Sequence, residues 1–159
     1  MKFEEKMSNV FKLYPKYDLA HCISADFGMG KGIAVQFNEE LNMKHELLKN
    51  YPGYLRYWQE KKKTHDCIYL NGVYNLITKE HYWYKPNPKH IQGALMDMKE
   101  LVMRDGSNKR IAMPRIGCGL DNQNWSDIKA MIQDVFSDTD VEIVVCTPYR
   151  IDPYDDDDK

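Results

Sequence analysis

The chain has 159 residues, 43% of them hydrophobic and 29% charged, with a net charge of −2. This length suits one domain with a real core, and the composition is globular, which excludes a disordered or fibrous chain. No basic block exceeds Lys61-Lys62-Lys63, so a broad nucleic-acid-binding face is not indicated, although a local patch stays open.

The first residues, Met1 to Lys6, lack an apolar signal core, and no long apolar run follows. The expectation is a soluble cytoplasmic protein, or a nucleocytoplasmic one if the source is eukaryotic, with no membrane contact. Leu19 to Ile23 is a short, near-continuous apolar run and predicts a strand buried on both faces. Gly28, Gly30 and Gly32 follow, and Ile33 to Phe37 opens a helix. Leu41 to Asn50 predicts another short helix. Residues 51–65 carry Tyr51, Tyr54, Tyr57, Trp58 and three lysines and read as helix plus loop.

Cys67 to Leu70 and Val73 to Thr78 are strand-like, and Asn71-Gly72 between them is a strong signal for a two-residue hairpin turn. Asn87-Pro88 starts a helix, with Asn as cap and Pro at the first helical position. Its apolar positions, Ile91, Ala94, Leu95, Met98, Leu101 and Val102, share one helical face, and Gly106 is the expected C-terminal cap. Lys109 to Met113 predicts a strand, Trp125 to Phe136 a second amphipathic helix, and Val141 to Cys146 a last strand. Strands alternating with helices predict a mixed α/β sheet covered by helices. No linker splits the chain, so residues 1–150 are expected to form a single domain. Residues 151–159 form an acidic tail that cannot pack, and Asp155 to Lys159 also resembles the enterokinase cleavage sequence of engineered fusions.

Four cysteines, Cys22, Cys67, Cys118 and Cys146, are scattered with no CxxC pair. They are expected to be buried free thiols in a reducing compartment, not ligands of a zinc site.

Three constellations bear on chemistry. The segment Met113-Pro-Arg-Ile-Gly-Cys-Gly-Leu-Asp121 links a predicted strand to a predicted helix. Such a glycine turn offers backbone N–H groups and a helix N-terminus to an anion. Gly117 and Gly119 let the backbone approach a ligand. Asp121 adds a carboxylate that phosphate alone would repel, so a role in chemistry or toward a hydroxyl is expected. Ser24-Ala-Asp-Phe-Gly-Met-Gly-Lys-Gly-Ile33 also lies between strand and helix. Taken alone, its alternating glycines fit a tight structural turn as well as a ligand cradle. They match neither the Walker spacing nor the dinucleotide fingerprint. Lys79 closes the apolar run Leu76-Ile-Thr. A solvated strand terminus is the plain reading; the functional one makes it an amine nucleophile toward a sugar carbon, which requires a lowered pKa. Two glycine loops gathered at the carboxyl ends of strands, with one carboxylate, suggest a ligand with a diphosphate and a sugar. His21 reads as a packed core histidine. Tyr54 to Trp58 and Tyr82-Trp83-Tyr84 fit aromatic packing onto the sheet better than stacking on bases.

Ala20-His-Cys-Ile-Ser24, Met29-Gly-Lys-Gly-Ile-Ala34, Leu76-Ile-Thr-Lys79 and the nine residues from Met113 to Asp121 occur in this order. Together they resemble the macrodomain family, and within it the branch of the terminal ADP-ribose protein glycohydrolase, from about Ser8 to Thr147. The resemblance implies a three-layer α/β/α macrodomain with a central mixed sheet and an ADP-ribose cleft. It makes Lys79 and Asp121 the catalytic pair, with no metal or cofactor. Met29, Gly30, Lys31, Gly32 and Ile33 would wrap the diphosphate and distal ribose. Ile116, Gly117, Cys118, Gly119 and Leu120 would complete the phosphate cradle, and Pro114 is an implied ligand-binding residue. Ser24 would lie near the distal ribose, and Thr78 is an implied ligand-binding residue. The family's aspartate against the adenine amine is replaced here by Asn9, which keeps a carbonyl acceptor but loses the charge.

The implied activity is hydrolysis at the distal ribose of ADP-ribose, carried by acidic protein side chains or by an acetyl group. Breaking that bond builds oxocarbenium character that a nearby carboxylate stabilises. Two alternatives stay open at this point. One keeps the cleft and changes the leaving group to phosphate or to a nucleobase of DNA. The other is a non-catalytic module that binds or sequesters ADP-ribose. Partners are expected to be ADP-ribose and ADP-ribosylated substrates, with nucleic acid not favoured, and the protein is expected to be a monomer.

Overall fold

A computed structural model of the protein describes residues 1–105, 108–119 and 121–148. Leu120, the expected cap Gly106 and the acidic tail lie outside the described residues. In chain order the elements are β1 (Lys2–Met7), a 3-10 turn (Val10–Leu13), β2 (Asp18–Ser24), α1 (Ile33–Leu41), α2 (Met43–Asn50) and α3 (Tyr54–Glu60). They continue with β3 (Asp66–Leu70), β4 (Val73–Lys79), α4 (Pro88–Asp105), β5 (Arg110–Met113), α5 (Trp125–Phe136) and β6 (Glu142–Thr147).

The strands form one mixed sheet in the order β1-β6-β5-β2-β4-β3. All neighbours run parallel except the β3–β4 hairpin, which turns at Asn71-Gly72 as its sequence predicts. Strand β1 departs from the sequence reading. Its residues, Lys-Phe-Glu-Glu-Lys-Met, are mostly exposed and lack an apolar pattern. It is an edge strand, recruited by backbone pairing with β6 from Lys2 opposite Glu142 to Met7 opposite Thr147. Charged side chains are what an edge strand carries to discourage further pairing.

Helices cover both faces. On one, Ile91, Leu95, Met98 and Val102 of α4 and Ile128, Ile132 and Phe136 of α5 pack with Tyr74, Leu76, Ile111 and Ile143 of the sheet. On the other, Phe37, Met43, Leu47, Tyr54 and Trp58 from α1, α2 and α3 pack with Leu19, Ile23, Val73, Ile77 and Val144. This is the expected three-layer α/β/α architecture. Both long helices begin with side-chain caps. Asn87 Oδ1 accepts from the Lys89 N–H at 2.8 Å, and Asn124 Oδ1 from the Ser126 N–H at 2.9 Å.

His21 is fully buried on β2, as expected of a core histidine. Its ring stacks on Phe37 with centroids 3.8 Å apart, and Nε2 lies 2.6 Å from Asn75 Oδ1. The sheet order has a consequence for function. From β2 the chain moves to β4 on one side and later returns to β5 on the other. The loops after β2 and β5 therefore part at the carboxyl edge of the sheet, where open α/β sheets bind ligands.

Candidate active site

A cleft of about 980 Å³ opens at that edge. This is the size of a site for a cofactor-sized ligand. It is walled by Ser8 and Asn9 after β1, Cys22 to Ser24 of β2, Lys79 of β4, the loop from Pro114 to Gly119 after β5, and Cys146 to Pro148 at the end of β6. Lys31 to Ala34 close one side with the start of α1. That start is built for an anion. Gly32 caps α1 at φ +65° with no side-chain hydrogen bond, and the first turn carries no acidic residue. Its leading N–H groups and the helix dipole therefore meet the cleft without an internal counter-charge. The opposite loop turns at Gly117, φ +74°, where a side chain would be strained, and Gly117 O accepts from the Gln123 N–H at 2.8 Å.

Lys79 and Asp121 meet in this cleft. Lys79 Nζ donates to Asp121 Oδ1 at 2.7 Å, and the two side chains are only 13% and 15% exposed. Lys79 is therefore not a solvated strand terminus. The residues are 42 positions apart in sequence, and β2 lies between the strands that carry them. The loop after β5 reaches over the end of β2 to make the pair. Two of the three cysteines lining the cleft, Cys22 and Cys118, are not competing nucleophiles. Burial, reinforced by the Asp121 charge, pushes the Cys22 thiol well up. Burial also raises Cys118 to about 11, against the pull of Arg115. Both stay thiols at neutral pH. Cys67 and Cys146 are buried and free, as expected.

The sequence-predicted ligand residues divide. Asn9, Ser24, Lys31, Gly32, Ile33, Pro114, Ile116, Gly117, Cys118 and Gly119 line the cleft with Lys79 and Asp121. Three others do not. Met29 is buried in the core, Gly30 is exposed, and Thr78 is buried with no partner for Oγ1 among the described residues. Asn9 also caps the 3-10 turn, where its Oδ1 accepts from the Phe11 N–H at 2.9 Å. One lone pair of that oxygen is thus already engaged, and the second remains for a ligand amine.

The aromatic expectation needs correction at one cluster. Tyr54 and Trp58 pack into the core, but Tyr82, Trp83 and Tyr84 are 52%, 62% and 46% exposed. The turn after β4, closed by the Tyr84 N–H on His81 O, is too short to fold these rings back onto the sheet. They pack on one another and on His81 instead, with the Trp83 and His81 rings stacked at 4.4 Å. Tyr82 also contributes to the cleft wall.

The sequence reading also missed Asp26 and Arg115. Arg115 lines the cleft and lies over the Trp125 ring, 5.4 Å from its centroid. Asp26 accepts hydrogen bonds from Ser24 Oγ, the Gly28 N–H and the Tyr82 N–H. Burial alone would raise its carboxyl, but these bonds and His81 hold it below its ordinary value. The Asp-x-Gly step after a strand was a legible signal, because an aspartate commonly bonds the N–H two residues on.

No family model matches the chain. It is 40% identical over 137 residues to the human ADP-ribose glycohydrolase OARD1, covering 84% of each chain. It is 37% identical over 132 residues to the bovine protein of that name, covering 81% of this chain and 80% of the relative. Among solved structures, the macrodomain of Mycobacterium tuberculosis DarG superposes with a TM-score of 0.70 at 20% identity, covering 92% of this chain and 98% of that one.

Proposed function

The chain belongs to the macrodomain family, with the ADP-ribose glycohydrolases among its relatives, and from that premise we propose that it is an ADP-ribosyl hydrolase working through Lys79 and Asp121. The observation that carries the Lys/Asp assignment is their 2.7 Å contact in a cleft flanked by two glycine loops. The N-terminus of α1 and the loop at Gly117 receive the diphosphate. The distal ribose then lies toward Lys79, Asp121 and Ser24. The substrate is ADP-ribose esterified to an acidic protein side chain, or a small ester such as O-acetyl-ADP-ribose.

Asp121, in contact with Nζ, takes the proton that the ammonium must lose to become a nucleophile. Nζ attacks the anomeric carbon of the distal ribose. The bond from that carbon to the ester oxygen breaks, and the carboxylate leaves with the bonding pair. Asp121, now a neutral acid, returns that proton to the departing carboxylate and is again ionised for the second step. Water then cleaves the carbon–nitrogen bond with Asp121 managing the proton, which returns the amine and releases ADP-ribose. The balance is one water consumed for one ester cleaved. Incubating the protein with a substrate mono-ADP-ribosylated on glutamate tests this directly. Free ADP-ribose and unmodified glutamate are expected, and intact ester after prolonged incubation would refute the reading.

A further inference from the structure

Asp26 sits where the loop after β2 meets the loop after β4. Its Oδ1 accepts from Ser24 Oγ and, at 3.0 Å, from the Gly28 N–H. Its Oδ2 accepts from the Tyr82 N–H at 3.1 Å and lies 3.5 Å from His81 Nδ1. A carboxylate has about four acceptor sites, and four neighbours already face these two oxygens. Asp26 is thus turned to these protein groups and does not itself line the cleft.

Its effect is on others. The two loops are tightly fitted at this point: the Ala25 N–H bonds Lys79 O at 2.9 Å, the Asp26 N–H bonds Glu80 O at 3.2 Å, and a Cβ on Gly28 would meet Tyr82 Cδ1 at 2.9 Å. Phe27, between them, is held at φ +56°, a conformation that a bulky residue adopts only when its surroundings impose it. The second effect is on Ser24. A hydroxyl beside a carboxylate must point its proton at it, so the Ser24 proton is committed and only lone pairs remain for the cleft that Ser24 lines.

We infer that Asp26 is a positioning residue that fixes Ser24 as an obligate hydrogen-bond acceptor for a sugar hydroxyl beyond the diphosphate. The inference rests on the ADP-ribosyl reading of the cleft. It predicts selectivity for a ligand that brings a hydroxyl donor to Ser24.

The test is calorimetric binding of ADP-ribose and of ADP, which lacks the distal ribose, to wild type, Asp26→Asn and Ser24→Ala. An asparagine either turns its amide to Ser24, whose hydroxyl can then accept and so frees its proton, or turns it against the Tyr82 N–H. Ser24→Ala removes the acceptor and leaves the other Asp26 bonds in place. Both variants should lower the preference for ADP-ribose over ADP by about five- to tenfold, the worth of one hydrogen bond, with ADP affinity unchanged. The double variant should lose no more than the worse single one. A loop that merely holds the fold would weaken both nucleotides together. Unchanged preference in Ser24→Ala, or additive losses, would overturn the inference alone. Wild-type protein that binds neither nucleotide would overturn the ADP-ribosyl reading as well.

Discussion

His21 gives a stability prediction whose size follows from the core. Asn75 Nδ2 donates to Ile68 O at 3.1 Å and Val73 O at 3.3 Å, so its Oδ1 must face His21. His21 Nε2 is then the donor to Oδ1, and Nδ1 is buried with no partner among the described residues. Protonation would put a charge on Nδ1 in an apolar core, and burial, only partly opposed by the Asn75 bond, lowers the pKa from 6.5 to about 4. The sign follows. Between those values the unfolded chain binds a proton that the folded chain refuses, so stability is complete above pH 6.5 and falls as pH drops toward 4. Each pH unit is worth about 1.4 kcal/mol, so the whole interval carries about 3 kcal/mol. That is a large share of the roughly 5–15 kcal/mol that holds a typical domain. His21→Gln keeps an N–H donor toward Asn75 and removes the titration. Urea unfolding of both proteins at several pH values isolates the effect, because groups common to both cancel. The wild type should lose about 3 kcal/mol relative to the variant from neutral pH to pH 4. Parallel curves would refute the assignment of a neutral, buried imidazole.

Three other outcomes are expected. Gly28→Ala forces a Cβ against Tyr82 and Asp26, and should cost about 1–3 kcal/mol in urea unfolding; wild-type stability would show that the two loops are not tightly joined. Cys22 and Cys118, held as thiols by burial, should react with iodoacetamide at neutral pH about two orders of magnitude more slowly than free cysteine; rapid labelling by mass spectrometry would contradict that. Trp83 lies outside the cleft wall and is well exposed, so Trp83→Ala should leave ADP-ribose affinity within about twofold, since exposed substitutions rarely cost more than about 0.5 kcal/mol. A larger loss by calorimetry would place that ring in the nucleotide site.

The helices and inner strands were legible because each carries its own periodicity. Ile91, Leu95, Met98 and Val102 of α4 mark one face before any partner is known, and all four are buried. Strand β1 was not legible, because an edge strand is specified by pairing with β6 and not by its own residues. The site followed the same division. The glycine loops announce themselves by composition, whereas the contact of Lys79 with Asp121 depends on the crossover that returns the chain to β5 on the far side of β2. Asp26 hid because it acts through backbone N–H groups of two loops, one of them 56 residues away. Trp83 and its neighbours show the reverse error: aromatic composition predicts burial, but a short turn can deny it.

The measurement that bears most directly on the account compares wild type with Lys79→Ala and Asp121→Ala in two assays, release of ADP-ribose from a glutamate-linked substrate and calorimetric binding of ADP-ribose. Each substitution removes one half of the 2.7 Å pair and leaves the Gly32 and Gly117 turns in place. Release should fall by at least about 10²-fold, the usual size of an acid–base contribution, while ADP-ribose affinity stays nearly intact. Turnover by both variants at the wild-type rate would contradict the claim that Lys79 and Asp121 perform the chemistry.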